Sequence, residues 1–315
     1  MDQPVEIDTT NAEAGVDGRP PPRSVSDVVA LLRAAFAREP GLSAVGAAGL
    51  VVALLCLIAV AVRGSFIPPE GKMQDAATFA FGVGVFTLTV ALLLPLAGFS
   101  ESGRTRWRRL FYIFTVYGLM LESIQSFRGL DPRFPGRPSS TDVGSTLDKI
   151  AGPIFGLTAA LLTVLFVIFA VRFFRKDVLR YRPVLRLGIR YGVAAVVLSF
   201  GVGIIMSVIA TREVGDSGNL LLAHALGVHG IQLVPAVGLL LYWGQVGGVS
   251  RYRTTWIQAA GIGWLAAGTA ALVQALAGRP PLEISGLTAV IVAGVAVWAA
   301  VAGFSLMSWR RAAHA

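Results

Sequence analysis

Residues Leu220–Pro235 read L-L-L-A-H-A-L-G-V-H-G-I-Q-L-V-P. The stretch carries no acidic or basic residue beyond its imidazoles and is apolar enough to cross a bilayer. Yet it holds His224 and His229, two of the chain's three histidines. Working outward from it, runs of about 20 mostly apolar residues recur, each long enough to cross ~30 Å of hydrocarbon. Eight such runs lie near 43–62, 76–98, 109–128, 150–171, 187–210, 219–243, 255–277 and 284–308. Only 14% of the 315 residues are charged and 55% are hydrophobic, where a soluble protein carries roughly a quarter charged residues. The pattern predicts an all-α, polytopic integral membrane bundle of about eight transmembrane helices at 43–315, preceded by a tail at 1–42.

The net charge of +9 does not point to nucleic acid, because its distribution follows the spans. With the N-terminus inside, 19 of the 27 Lys and Arg fall on cytoplasmic segments, seven of them between Arg172 and Arg190. This is the positive-inside pattern, and it predicts a cytoplasmic-membrane protein with both termini cytoplasmic. The 172–190 run also suits anionic lipid headgroups. Cys56 is the only cysteine, so no disulfide or thiolate metal site is built from it, and it reads as a small packed hydrophobe.

The start of the chain is polar and acidic, unlike a cleavable signal peptide. Residues 9–23 read as a disordered tail. From about 24 to 38, Val28, Leu31, Leu32, Ala35 and Phe36 share one helical face, Ser24 or Ser26 can cap it, and Pro40-Gly41 ends it. This predicts an amphipathic helix on the cytoplasmic surface, with lipid contact favoured over a partner protein.

The outer loop at 128–149 contains Pro132, Pro135 and Pro138 and a mixed set of charges. Arg128, Arg133 and Arg137 can pair with Asp131, Asp142 and Asp148 to hold one shape. Frequent glycines within the spans read as helix-packing positions. They form no nucleotide loop, since they do not lie between a strand and a helix. No internal repeat is evident.

Glu122 is the acidic residue expected inside a span. Thr115, Gly118, Glu122, Gln125 and Ser126 recur at three- and four-residue steps and share one face of the third span. A bare carboxylate at a helix centre costs ~2.5–3.5 kcal/mol, so this face should turn into the bundle. At ~1.5 Å per residue, Glu122 lies about 9 Å below the outer end, His224 about 7 Å and His229 about 15 Å. Gln232 falls between the two histidines around the helix, Gly227 and Gly230 lie on the other side, and Pro235 is placed to kink the span.

Two histidines five apart on one helix do not grip one metal as a three- or four-residue spacing does. A bis-histidine haem needs ligands from two sides, so cofactor chemistry is not favoured, although a single-His haem or a metal held with Glu122 stays open. Acid–base chemistry suits the set better, with imidazole and a desolvated carboxylate exchanging protons. Arg128 at the rim either holds a headgroup or snorkels.

The segment A-H-A-L-G-V-H-G-I-Q-L-V-P resembles the H-x4-H-x2-Q-x2-P helix of an uncharacterised family of bacterial polytopic membrane proteins. That family's earlier motif, I-Q-x-[WF]-R-G followed by Ser-His-Phe-Asn, is matched here by I-Q-S-F-R-G-L-D-P-R-F-P at Gln125, Arg128, Gly129 and Phe134. The motifs span residues 122 to 235, roughly a third of the chain. The resemblance implies no activity. Arg133 stands where the family has histidine, so a metal ligand there would not carry over.

Together these readings predict a polar pocket in the outer half of the bilayer, built by the third and sixth spans and covered by the 128–149 loop. Glu122, His224 and His229 would handle protons, and Gln125, Arg128 and Gln232 would orient a lipid-soluble or small polar ligand. An enzyme or redox/ligand-binding protein is the leading expectation, with a proton-coupled transporter second and a structural or assembly subunit third. The sequence leaves oligomeric state open.

Overall fold

The computed structural model describes residues 21–131, 146–244 and 253–314. The expected tail before Pro21 and the loop residues Arg133, Phe134, Arg137 and Asp142 lie outside them. Nine helices are described: α1 (Val25–Phe36), α2 (Pro40–Arg63), α3 (Met73–Leu93), α4 (Glu101–Phe127), α5 (Thr146–Arg172), α6 (Pro183–Val208), α7 (Leu221–Trp243), α8 (Arg253–Leu276) and α9 (Gly286–Ala313). α2 to α9 are the eight helices long and apolar enough to cross a membrane. The protein is an all-α polytopic membrane bundle. Pro40 and Pro183 stand at first-turn positions, where the missing N–H costs nothing. Pro40 therefore opens α2 and does not close α1, which ends at Phe36.

α1 is held at both ends. Ser24 accepts from the Asp27 N–H while Asp27 reaches back to the Ser24 N–H, a capping box. Val28 and Leu31 pack on Tyr242, Trp243 and Trp309, and the Trp309 indole donates to the Pro22 carbonyl at 2.7 Å. The described ends of the chain thus meet on one side of the bundle, as eight crossings require. Val25, Val29 and Leu32 remain exposed on the other face of α1.

Two short hairpins join consecutive spans on the opposite side: β1 (Phe66–Ile67) with β2 (Gly71–Lys72), and β3 (Glu213–Val214) with β4 (Gly218–Asn219). They expose an internal repeat that the sequence reading did not find. The registers correspond at an offset of 147: Phe66 with Lys72 matches Glu213 with Asn219, and Ile67 with Gly71 matches Val214 with Gly218. A Cβ on Gly71 would collide with the Ser126 carbonyl, and one on Gly218 with the Ala275 carbonyl. The helices receiving them end alike, at an offset of 149. Gly129 and Gly278 adopt φ of 83° and 70°, a conformation open to glycine. The Leu130 and Arg279 N–H groups return to the Gln125 and Gln274 carbonyls.

Burial follows the same correspondence. α3 and α7 both bury Met73/Leu220, Ala76/Ala223, Ala80/Gly227, Gly84/Ile231, Thr87/Val234 and Val90/Val237. α4 and α8 both bury Phe111/Ala260, Thr115/Trp264, Gly118/Ala267, Glu122/Ala271 and Gln125/Gln274. The unit α2–α3–α4 is therefore repeated as α6–α7–α8. Four crossings separate their starts, so the repeat is direct and not inverted. Few letters are shared because most matched positions exchange one small or apolar residue for another. The fourth helices differ: α5 packs on α4 and α6, whereas α9 packs on α8 and α7.

Glycines set the closest approaches. Gly46 and Gly49 of α2 face Gly84 of α3, and Gly192 of α6 faces Gly230 and Ile231 of α7. In lipid, where apolar burial gives no drive to associate, this closeness supplies van der Waals attraction. A core with Phe111, Phe166, Phe169, Ile189 and Ile231 joins the two units.

Candidate functional site

The polar face of α4 turns inward as its spacing predicts. Thr115, Gly118, Glu122, Gln125 and Ser126 are all buried, and Glu122 is 0% exposed. Cys56 of α2 lies beside Ser123, which follows Glu122 in the chain. Phe155 of α5 covers Gly118, 3.8 Å from where a Cβ would stand. Toward the rim the stripe becomes a hydrogen-bonded network. Gln125 Nε2 donates to Asp148 Oδ1 at 2.8 Å, and Arg128 Nη1 donates to Gln125 Oε1 at 2.7 Å. Arg128 also grips both Asp148 oxygens, at 2.5 and 3.1 Å. The mixed charge of the 128–149 segment thus does self-pair, at Arg128 and Asp148. Asp148 lies in the first turn of α5, which begins inside the expected loop.

His224 belongs to a second centre. Its Nδ1 is 3.0 Å from the Ser199 carbonyl, and the Ser199 hydroxyl donates to the His224 carbonyl at 2.8 Å. Nδ1 is also 3.0 Å from the Ser199 hydroxyl; with that hydroxyl donating to the His224 carbonyl, Nδ1 faces the Ser199 carbonyl as donor and a neutral ring carries its proton there. His229 is one and a half turns deeper and partly buried. The Gln232 amide lies over the Val228 and His229 carbonyls, 3.0 and 3.1 Å from its nitrogen, so it folds onto its own helix. Gly227 and Gly230 are pressed close, against Ser199 and Ala195 of α6, with Trp264 of α8 also at Gly230.

The helices of the expected pocket between the third and sixth spans have α3 as a common neighbour. α4 packs on α2, α3 and α5, and α7 packs on α3, α6, α8 and α9. His224 looks toward Ser199 of α6.

Among the described residues, no three His, Cys, Asp or Glu side chains gather where they could hold a metal ion. One buried acid escaped the sequence reading. Glu39, 0% exposed at the N-cap of α2, meets Arg108 at 3.0 Å and Arg104 at 3.5 Å. The arginines are four apart on one face of α4, which is the signal that could have found it. An acid at a helix N-terminus also suits the dipole. This triad ties α2 to α4 at the end of the bundle opposite the hairpins.

The fold defines a polytopic α-helical membrane protein, with one polar centre at the fully buried Glu122 and another at the partly buried His224. No family model matches the chain, and neither does any curated protein or solved structure.

Proposed function

We propose that the chain is a bacterial cytoplasmic-membrane protein, both termini inside, that performs acid–base chemistry on a lipid-soluble or small polar ligand in the outer half of the bilayer. One observation carries this reading: the buried polar face of α4 holds the fully buried Glu122 about one turn from Gln125, which is bonded to the Arg128–Asp148 pair at the rim. A carboxylate this deep is a functional hypothesis by default. Glu122 gives or takes the proton, and the Gln125–Arg128–Asp148 network is its route to the surface. His224 and His229 are the further proton-handling groups, with Gln232 beside them. The resemblance to an uncharacterised bacterial family suits this assignment and adds no activity to it.

A second reading, proton-coupled transport, is favoured by the direct repeat, since two parallel repeats about an axis along the membrane normal are a transporter architecture. Both are tested together. The protein is purified, its bound lipophilic molecules are identified by extraction and mass spectrometry, and it is reconstituted with a pH dye inside the vesicles. Ligand-dependent proton movement into the lumen indicates transport. Proton exchange on one face without lumenal change indicates acid–base chemistry. Either must be lost in Glu122→Gln. A Glu122→Gln variant that assembles and retains every activity would sink both readings and leave a structural subunit.

A further inference from the structure

The repeat brings three positions into correspondence near the hairpin end of each unit. In the first they are Cys56 of α2, Ala77 of α3 and Glu122 of α4. The offsets set by the hairpins and by the α4 and α8 termini carry these to Gly203 of α6, His224 of α7 and Ala271 of α8. The contacts agree. Cys56 adjoins Ser123, the neighbour of Glu122 in the chain, and shares a packed cluster with Ala77. A Cβ on Gly203 would stand 3.6 Å from His224 Cε1, in ordinary contact, so the two positions adjoin.

Each junction holds one carboxyl or imidazole group, and it comes from a different helix in each. Where the first unit has Glu122 the second has Ala271, and where the second has His224 the first has Ala77. The same architecture closes with alanine at either position, so neither titratable group is needed to assemble the three helices.

We propose that this three-helix junction is a duplicated proton-binding niche, loaded through Glu122 in the first unit and through His224 in the second. The inference rests on the acid–base reading and deepens it: the protein carries two exchangeable protons in separate niches, one per unit. In the first niche Ser123 adjoins Cys56 of α2, and Gln125, about one turn beyond Glu122, bonds Asp148 of α5. In the second, His224 faces Ser199 from α6 and has His229 on its own helix. The Asp75–Arg212 ion pair, 3.3 Å, links the two units at the same end.

Cys56 is the chain's only cysteine, which makes it a native reporter. Its alkylation by N-ethylmaleimide is followed against pH in vesicles, in the protein and in Glu122→Gln. Gly203→Cys in a Cys56→Ser background reports on the second niche, with and without His224→Gln. Beside the step from the thiol's own ionisation, the expected result is a second titration step at each thiol that is lost only with the substitution in its own niche. If Glu122→Gln removes the step at Cys56 while His224→Gln leaves the other thiol's profile unchanged, duplication is overturned and acid–base chemistry at Glu122 stands. If neither substitution changes its profile, both ideas fall. Should a thiol resist alkylation, infrared pH-difference spectra read the Glu122 carboxyl band and NMR reads the His224 ring. No titration of either group between about pH 4 and about pH 9, a range spanning ordinary carboxyl and imidazole values, overturns the proposal.

Discussion

Gly71 and Gly218 occupy one structural position twice: each ends a hairpin against the last turn of a helix, with a carbonyl oxygen where its Cβ would be. If the repeat is a repeat in energy as well as geometry, Gly71→Ala and Gly218→Ala should cost similar amounts. Overpacking of this kind costs about 1–3 kcal/mol. Gly156→Ala and Gly201→Ala, with open space at the Cβ, should be neutral or stabilising by up to about 1 kcal/mol. Unfolding midpoints in one detergent check all four.

The Arg128–Asp148 pair fastens the end of α4 to the start of α5. Arg128 is about half exposed, so solvent screens the pair and Asp148→Asn should cost only about 1 kcal/mol. The sharper readout is local. Hydrogen exchange in the first two turns of α5 should rise in Asp148→Asn, and added salt should narrow the difference from the unaltered protein.

The Ser24 hydroxyl, with the Arg23 N–H, holds the Asp27 carboxyl below its ordinary value. A folded pKa below the unfolded one means the unfolded chain binds more protons, so stability rises with pH across that window. The contribution is complete above the unfolded value of about 4 and fades as pH falls through the folded one. Protection of α1 amides should therefore drop on acidification from about pH 6 to about pH 3. Asp27→Asn should abolish that pH dependence while weakening the helix at neutral pH.

The Ser199 carbonyl fixes the ring of His224 as the Nδ1–H form. A 15N spectrum of histidine-labelled protein should show that tautomer at His224 near neutral pH. Ser199→Ala removes the hydroxyl but keeps the carbonyl, so the tautomer should persist and stability fall by about 0.6–1.5 kcal/mol. A spectrum dominated by Nε2–H would contradict the arrangement.

The features legible in the sequence are those that one helix decides alone. The eight spans follow from length and apolarity. The inward face of α4 follows from the spacing of Thr115, Gly118, Glu122 and Gln125. The cap of α1 follows from Ser24 and Asp27. Helix adjacency was not legible, because lipid is as apolar as leucine and leaves little amphipathic signal to say which neighbour a face meets. Glu122 and His224 read as one pocket from depth and face alone, and that α3 neighbours both their helices did not show. The repeat was hidden for a related reason: what it preserves is room for backbone, at Gly71 and Gly218 or at Ala80 and Gly227, more than side-chain identity.

The bond from Trp309 to Pro22 has a consequence for how the protein is made. A ribosome delivers α1 first and α9 last. Throughout synthesis the first helix exists without Trp309, and until α7 arrives its apolar residues must rest elsewhere, on lipid or on a chaperone. Tyr242 and Trp243 of α7 can receive Val28 and Leu31 earlier, but only when the eighth span has entered the bilayer can the Trp309 bond close. That bond is the last to form, and a chain that stops before Trp309 leaves the start of α1 less firmly held and easier for a protease to find.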